Sequence, residues 1–232
     1  MRGKLIVVEG TDCSGKETQT NKLLESLRNN GIAVEKYSFP AYDTPTGKIV
    51  GGPYLGKSYI CDGWFPEGAI NVDPKVASLY YAADRKYNIE KIIELLDNGT
   101  NVILDRYIYS NMAHQGGKIE DVNERLSMYN WLEKLEFELL GLPHADIKIF
   151  LHMPLKFSME LGKNRTEALD QHEASENHLK NAERSYLEIA SRYNFKTIEC
   201  ANEVVRTRED ISNEVIEYVI SEINSKLKPF GK

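Results

Sequence analysis

The chain has little of what marks secreted, membrane-spanning or nucleic-acid-binding proteins. Its 232 residues include three cysteines, Cys13, Cys61 and Cys200, which are too scattered for a disulfide framework, and none lies in a metal-ligand spacing. No targeting segment or long apolar run is recognisable, so we expect a cytoplasmic protein without a membrane anchor. The formal net charge of −6 argues against a broad nucleic-acid surface but is compatible with a local basic pocket for small anions.

Internal repeats and low-complexity linkers are also absent, and we expect a single domain over residues 1–232. Strand patterns alternate with helix patterns, which predicts an α/β fold whose five-stranded parallel sheet is flanked by helices on both faces. We expect strands at 4–9, 34–39, 101–105, 146–152 and 195–200. We expect helices at 15–29, 74–97, 107–115, 119–140, 155–192 with a polar interruption at 164–173, and 207–226. Residues 41–73, rich in Gly, Pro, Tyr and Asp, are expected to form a long functional loop containing a short helix.

The segment between the first strand and the first helix has the composition of a phosphate-binding loop. It consists of Gly10, Thr11, Asp12, Cys13, Ser14, Gly15, Lys16, Glu17 and Thr18. The two glycines let the backbone turn tightly, so that successive N–H groups converge on phosphate oxygens. Lys16 adds a positive charge for the β- and γ-phosphates, and the helix that follows offers its positive N-terminal end. We interpret the segment as the ATP-binding P-loop of a P-loop NTPase fold; a merely structural turn is the alternative.

Asp105 ends the third predicted strand and is followed directly by Arg106. A carboxylate at the carboxyl edge of a strand beside a P-loop has the position that orients Mg²⁺, usually through water. The alternative role for Asp105 is the N-cap of the next helix. The adjoining arginine favours the metal role, because its paired donors can hold a second phosphate.

A P-loop alone does not distinguish a kinase from a molecular switch or motor, so the acceptor side has to decide. There the sequence resembles the thymidylate kinase family of P-loop nucleoside monophosphate kinases, in motifs that follow the family's order along nearly the whole chain. These motifs are Phe39-Pro40, Asp73-Pro74, Tyr81 with Ala83-Asp84-Arg85, Asp105-Arg106-Tyr107, Ser110-Asn111 with Gln115-Gly116, Asp170-Gln171-His172-Glu173 and Arg184-Ser185-Tyr186-Leu187-Glu188. Each motif is weak alone, but the joint pattern is highly specific.

The resemblance implies how the thymine base is recognised. Tyr81 matches an aromatic residue that stacks on the ring, a contact worth roughly 1–3 kcal/mol in single-strand binders; core packing is its alternative role. Arg85, one helical turn further on, matches the arginine that donates to thymine O4 and rejects the amine of cytosine. Its alternative role is a surface salt bridge. Asn111 matches the residue that reads the N3–O2 edge, with a helix-surface amide as the alternative.

The remaining acceptor roles also come from the resemblance. Phe39 would form a wall of the base pocket, Arg106 would hold the acceptor phosphate, and Asp12 would lie near the sugar 3′-OH. The residues expected to contact dTMP are Asp12, Phe39, Tyr42, Tyr81, Arg85, Arg106, Ser110, Asn111, His114, Gln115, Asp170 and Glu173.

Residues 163–173 match the mobile lid that closes over the donor phosphates of nucleotide kinases and excludes water. Arg165 is the expected lid cation, with a solvated helix-surface charge as the alternative. The residues expected to act in catalysis are therefore Lys16, Asp105, Arg106 and Arg165. The loop at residues 201–206 is the candidate adenine pocket by its position alone.

Three residues depart from the family pattern. Glu17 stands where Ser or Thr normally binds Mg²⁺, so Asp105 and Glu17 are the candidate metal ligands. Tyr42 stands where the family often has an arginine for the acceptor phosphate, and His114 stands where an aromatic residue commonly lies near the sugar 2′ position. The last change affects the expected discrimination between deoxyribose and ribose.

The expected activity is ATP + dTMP → ADP + dTDP with Mg²⁺, in a homodimer to which helix 74–97 contributes. One alternative is a kinase of the same fold that acts on another pyrimidine acceptor, dUMP or a deoxynucleoside. The other alternative, which Glu17 leaves open, is a nucleotide-binding protein without catalytic activity.

Overall fold

A single parallel sheet organises the protein. The computed structural model describes residues 2–162 and 176–225. In chain order the strands are β1 (Leu5–Gly10), β2 (Val34–Ser38), β3 (Asn101–Asp105), β4 (Ile147–His152) and β5 (Lys196–Glu199). They lie side by side in the order β2-β3-β1-β4-β5, and all neighbouring pairs are parallel. The predicted α/β fold with a five-stranded sheet is confirmed.

Eight α-helices occur in the described parts of the chain. They are α1 (Lys16–Asn29), α2 (Pro45–Ile49), α3 (Pro74–Asp97), α4 (Ile108–Gly117), α5 (Val122–Glu133), α6 (Leu155–Gly162), α7 (Glu176–Arg192) and α8 (Arg208–Ser225). Within residues 2–162 and 176–225, no helix combines the length and apolarity that crossing a bilayer would require.

Helices cover both faces of the sheet because alternate residues of β1 face opposite sides. Leu5 and Val7 belong to one apolar core, which also contains residues of α3, α4, α5 and α7. Ile6 and Val8 belong to the other, with residues of α1 and α8. All six residues of β1 are buried, as expected for the central strand of a doubly covered sheet. The P-loop therefore starts from a fully buried strand at the centre of the sheet.

The long segment 41–73 is packed rather than open. It contains the predicted short helix α2 and continues as a π-helical turn, Val50–Tyr54. Val50 and Tyr54 bury themselves in a third, smaller apolar cluster, together with Ala69 and Val72. A Cβ on Gly47 of α2 would lie 1.9 Å from the backbone carbonyl oxygen of Ala41, so the close packing of this segment depends on glycine.

The predicted helix 119–140 is shorter in the structure and changes type. Asp121 caps α5 by accepting hydrogen bonds from the backbone N–H groups of Asn123 and Glu124, which sets the start at Val122. The end of the predicted helix is a π-helical segment, Lys134–Leu139. An inserted residue of this kind turns one side chain toward a new neighbour, and π-helical turns often lie at functional sites.

Candidate active site

The P-loop joins the end of β1 to the first turn of α1. A Cβ on Gly10 would lie 2.9 Å from the Leu151 carbonyl oxygen, so only glycine fits beside β4 here. Gly15 has φ 76°, and Cys13 adopts a left-handed conformation with φ 58°. Thr11 anchors the loop, because its hydroxyl exchanges hydrogen bonds with the backbone of Met153 at 2.8 Å. The sequence interpretation of a tight, glycine-dependent turn agrees with this geometry.

Lys16 is buried under the loop that it follows. Its Nζ donates to the carbonyl oxygens of Gly10 and Thr11 at 3.0 and 3.2 Å. Burial lowers the pKa of Lys16 to about 8, helped by the nearby Arg106, although the surrounding carboxylates oppose the shift. A buried ammonium beside the P-loop is suited to an anionic ligand.

Asp105 lies directly beside the P-loop, because β3 pairs with β1 in a register that sets it opposite Val8. One of its carboxylate oxygens accepts a hydrogen bond of 3.4 Å from Thr20 of α1. Glu17, the other candidate metal ligand, is exposed in the first turn of α1. In the described ranges, no group of three or more His, Cys, Asp or Glu side chains has the arrangement of a metal site.

Arg106 connects the P-loop to two helices. Its guanidinium donates to Asp12 Oδ1 at 3.2 Å, to Tyr186 Oη at 3.2 Å and to Ser110 Oγ at 3.4 Å. Burial lowers the pKa of Arg106, but Tyr186, Asp12 and Glu9 outweigh that effect and raise it, so the residue stays charged. Its φ of 68° is unusual for a residue with a side chain, and such strain is typical of functional sites.

Glu9 is a charged residue at the centre of the sheet that sequence reasoning missed. Its carboxylate accepts from the backbone N–H of Tyr107 at 2.8 Å and of Ser110 at 3.1 Å, and from the Ser110 hydroxyl. Burial raises its pKa despite these bonds. Glu9 thus holds the turn after Arg106 against the start of the P-loop. A carboxylate inside the apolar run of β1 was the signal in the sequence.

Arg85 is buried rather than a surface residue, with 2 % of its side chain exposed. Its Nε and Nη2 donate to the two carboxylate oxygens of Glu136, both at 2.5 Å. Asn111 Nδ2 lies 3.4 Å from Glu136 Oε1, so one carboxylate joins two of the residues expected to read the base. Glu136, in the π-helical segment after α5, was not among the predicted site residues.

Two amide side chains on α4 carry buried atoms without a hydrogen-bond partner in the described structure. They are Oδ1 of Asn111 and both polar atoms of Gln115, which is one helical turn further on. Unpaired buried polar atoms are costly, so each of them needs an explanation, and a bound ligand that supplies the missing partner is one. Both residues belong to the predicted acceptor set. Asn111 is buried, with 3 % exposed, which excludes the alternative of a helix-surface amide.

The aromatic residues of the predicted acceptor pocket lie in two places. Phe39 is buried, with its ring centroid 6.3 Å from that of Tyr107. Tyr81 is half-buried and packs edge-on against Tyr54 at 5.7 Å, so the structure is compatible with both of its expected roles. Tyr42 lies under the ammonium of Lys57, 5.3 Å from the ring centroid.

His114 packs against the helix that follows the predicted lid. Its ring stacks on that of His178 with centroids 5.4 Å apart, and Nδ1 of His114 lies 3.2 Å from Nε2 of His178. Three predicted site residues, Arg165, Asp170 and Glu173, lie outside the described residues, as does the lid segment 163–173.

The candidate adenine loop lies beside the P-loop helix. Gln19 of α1 donates to the carbonyl of Arg208 at 3.0 Å, and the thiol of Cys200 lies 3.8 Å from the Ser14 carbonyl oxygen. Within the loop, Ala201 and Val205 form an isolated antiparallel bridge. These contacts of the residues that flank the loop place residues 201–206 near the P-loop and α1.

A parallel sheet with its P-loop on the central strand and a buried polar cluster beyond it defines a class of protein, the P-loop phosphotransferases that act on nucleotides. The family model for thymidylate kinase matches residues 8–211. The chain belongs to the thymidylate kinase family, whose members are ATP-dependent nucleoside monophosphate kinases.

Individual relatives agree with the family match. The chain is 29 % identical over 224 residues to the thymidylate kinase of Schizosaccharomyces pombe, covering 96 % of this chain and 94 % of that one. It is 35 % identical over 166 residues to a probable thymidylate kinase of Pyrococcus horikoshii, covering 71 % and 72 %. The solved thymidylate kinase of Candida albicans has the same fold, with a TM-score of 0.70, 23 % identity, and coverage of 100 % of this chain and 96 % of that one.

Proposed function

We propose that the protein transfers the γ-phosphoryl group of ATP to dTMP, giving ADP and dTDP, as a step of dTTP synthesis in the cytoplasm. The observation that carries this proposal is the ion pair of Arg106 with Asp12. Asp12 belongs to the P-loop, whereas Ser110 and Tyr186, the other partners of Arg106, belong to α4 and α7. The guanidinium of Arg106 thus lies between the P-loop, where ATP is proposed to bind, and helices α4 and α7, where dTMP is proposed to bind.

The chemistry needs positioning and charge neutralisation more than a strong base, because the phosphate of dTMP is already anionic at neutral pH. Lys16 would neutralise charge on the β- and γ-phosphates of ATP, and Arg106 would hold the acceptor phosphate. Arg165 is proposed to add a lid cation. Gly10 to Thr18 would bind the phosphates through backbone N–H groups, and residues 201–206 would contact the adenine.

The residues near the P-loop fit a magnesium ion carried in with ATP. Asp105 presents carboxylate oxygens, which are the ligands Mg²⁺ prefers, and Mg²⁺ usually combines one or two carboxylates with phosphates and water. Asp105 is therefore proposed to orient the ion, while the exposed Glu17 is a second candidate. When bound, the ion would neutralise charge on the transferred phosphoryl group.

The acceptor pocket is proposed to use the buried polar cluster for the base and further side chains for the sugar and phosphate. Arg85 and Asn111 would read the base, Tyr81 would stack on it, and Phe39 would close one side. The other proposed contacts to dTMP come from Asp12, Tyr42, Arg106, Ser110, His114, Gln115, Asp170 and Glu173.

The protein is also proposed to be a homodimer. Val76, Leu79 and Tyr87 lie on one face of α3 and are 42 %, 50 % and 61 % exposed. Large apolar side chains grouped on one helix face are typical of an interaction surface. A second copy of the chain is the proposed partner.

A coupled ADP-release assay tests the activity. Purified protein with Mg²⁺ and ATP is expected to release ADP fastest with dTMP, more slowly with dUMP, and least with dCMP or thymidine. A preference for dUMP or a deoxynucleoside would support the kinase alternative. Tight binding of ATP and dTMP without ADP release would support the alternative of a binding protein without catalytic activity.

A further inference from the structure

Glu136 is the most deeply buried carboxylate of the proposed base pocket. Its side chain is 0 % exposed, although carboxylates are seldom fully buried unless they are paired. It lies in the π-helical segment Lys134–Leu139, which turns it toward α3 and α4. The family resemblance gave Glu136 no role, so its contacts have to explain why a carboxylate is buried at this position.

The first contact fixes Arg85. A guanidinium is a planar fork, and two parallel bonds to one carboxylate hold that plane in a single orientation. The bonds to Glu136 use Nε and Nη2, at 2.5 Å each, and leave Nη1 as the nitrogen outside the pair. Burial lowers the pKa of Arg85, but the charge and hydrogen bonds of Glu136, together with Tyr107 and Asp84, raise it above its usual value, so the donor remains charged.

The second contact fixes the amide of Asn111. Its Nδ2 faces two oxygens at 3.4 Å, Glu136 Oε1 and the Ser78 carbonyl. Neither a carboxylate nor a carbonyl can donate, so the atom that faces them must be the amide nitrogen. This places Oδ1 on the other side, where it is buried and has no partner in the described structure. Asn111 therefore offers a free acceptor. If its amide flipped, Oδ1 would face the two oxygens of Glu136 and Ser78, and none of the three atoms could donate a hydrogen bond.

A hydrogen-bond donor from Arg85 beside an acceptor from Asn111 complements pyrimidines that present an acceptor beside a donor. Thymine and uracil carry an acceptor at C4 and a donor at N3, whereas cytosine carries the reverse pair. We propose that Glu136 is a positioning residue that sets the choice of base, by holding Arg85 as a donor and Asn111 as an acceptor. The proposal rests on the proposed dTMP kinase activity and assigns its specificity to a residue that need not touch the base.

Glu136→Gln is the direct test. The introduced amide keeps the volume but replaces one acceptor oxygen with a donor. It therefore cannot accept from both Arg85 nitrogens and from Asn111 as the carboxylate does, and the fixed orientation of the two side chains is lost. We expect the ratio of kcat/KM for dTMP over dCMP to fall at least about tenfold, because a mismatched buried polar group discriminates by this much or more. The ratio of dTMP to dUMP and the KM for ATP should not change.

Two further variants separate positioning from stability. Glu188→Gln alters another arginine–carboxylate pair, with Arg125, which shares no residue with the contacts among Arg85, Asn111 and Glu136, and should leave the dTMP to dCMP ratio unchanged. Glu136→Asp keeps an acceptor-only group and should preserve the ratio while lowering both kcat/KM values. Equal losses for dTMP and dCMP in Glu136→Gln, or the same loss of preference in Glu136→Asp, would overturn the proposal.

A crystal structure of the wild-type protein with dTMP gives a test that does not depend on a variant folding. It should show Arg85 and Asn111 still bonded to Glu136, with Nη1 near thymine O4 and Oδ1 near N3. Release of either residue from Glu136 would refute the positioning role. If the wild type does not phosphorylate dTMP at all, the proposed function fails. If it does, but the ratio of kcat/KM for dTMP over dCMP is unchanged in Glu136→Gln, only the role of Glu136 fails.

Discussion

The burial of Lys16 lowers its pKa, while the proposed binding of phosphates requires its positive charge. Burial lowers its pKa to about 8, so at neutral pH most molecules still carry the ammonium. In a dry site a charge that faces developing negative charge contributes far more than it would in water.

Lys16→Ala is therefore expected to lower kcat with dTMP by about 10²-fold or more while leaving the fold intact. Steady-state ADP release measures the rate, and circular dichroism with thermal melting checks the fold. Lys22→Ala is the matched control, because Lys22 also lies on α1 but pairs with Glu209 at the surface. Near-normal turnover in Lys16→Ala would contradict the assignment of the donor site.

Glu17 presents the opposite case, a negative charge that the proposed site does not require. Because it is exposed in the first turn of α1, Asp105, phosphates and water can complete the shell of Mg²⁺ without it. Glu17→Ser should therefore keep dTMP kinase activity and change mainly its Mg²⁺ dependence, measured by titrating Mg²⁺ at fixed ATP. Activity that appears only in Glu17→Ser, with none in the wild type at any Mg²⁺ or Mn²⁺ concentration, would favour the alternative of a binding protein without catalytic activity.

Glu9 and Glu136 show where residue-level prediction from sequence ends. The P-loop and the Asp105-Arg106 pair are local patterns with local physical causes, so the sequence alone could locate them. Glu9 bonds to Tyr107, 98 residues away, and Glu136 bonds to Arg85, 51 residues away. A single carboxylate has no periodicity, and its meaning depends on partners that only the fold brings close.

Among the elements, β4, β5 and α7 meet at one histidine. His152 contacts Glu199 through Nδ1 at 2.7 Å and Glu183 through Nε2 at 2.8 Å. The hydrogen bond to Glu183, with a smaller effect from Glu199, raises the pKa of His152 above its usual value of 6.5, although burial opposes the shift. Through these two hydrogen bonds, His152 holds α7 against the carboxyl edge of the sheet.

This arrangement predicts a pH-dependent stability. Because the folded pKa of His152 is raised, its contribution is fully present below the unfolded pKa near 6.5 and is lost as pH rises through the folded value. His152→Asn should therefore lower Tm by a few degrees at about pH 6 and by less at about pH 9. Melting curves of both proteins across this range measure the difference, which isolates His152 from other titrating groups. A constant difference would refute the charged arrangement.

Most elements were predictable because their ends carry local signals. Helix α3 begins at Pro74, where Asp73 caps it, and ends before Gly99 with φ 87°, as the sequence indicated. The two π-helical segments were missed, since an inserted residue is set by packing on distant elements. The segment Val50–Tyr54 is an example: its place in a small apolar cluster explains a turn that periodicity could not reveal.

For the whole molecule, the sheet order β2-β3-β1-β4-β5 could not be read from the chain, because alternating patterns fix the strand count but not the neighbours. The order explains why the site forms. It puts β3 on one side of β1 and β4 on the other. Asp105 at the end of β3 and Met153 after β4, which bonds to Thr11, therefore lie on either side of the P-loop. Residues far apart in sequence meet at the carboxyl edge of the sheet.

The proposed dimer is the other property of the whole molecule. Leu79→Arg places a charge on the exposed apolar face of α3 and should convert a dimer to a monomer, as measured by sedimentation velocity. Val122→Arg alters another exposed apolar residue, 54 % exposed at the start of α5, and should leave the dimer intact. A monomeric wild type, or a dimer that survives Leu79→Arg, would exclude α3 as the interface.

The central claim is that this chain moves a phosphoryl group from ATP to dTMP, and following the phosphorus tests it most directly. The protein is incubated with Mg²⁺, dTMP and ATP labelled in the γ-phosphate, and the products are separated by chromatography. The account predicts that the label enters the β-phosphate of dTDP in amounts equal to the ADP formed, and that Lys16→Ala yields almost none. Label found only in free phosphate, or no loss of label from ATP, would contradict it.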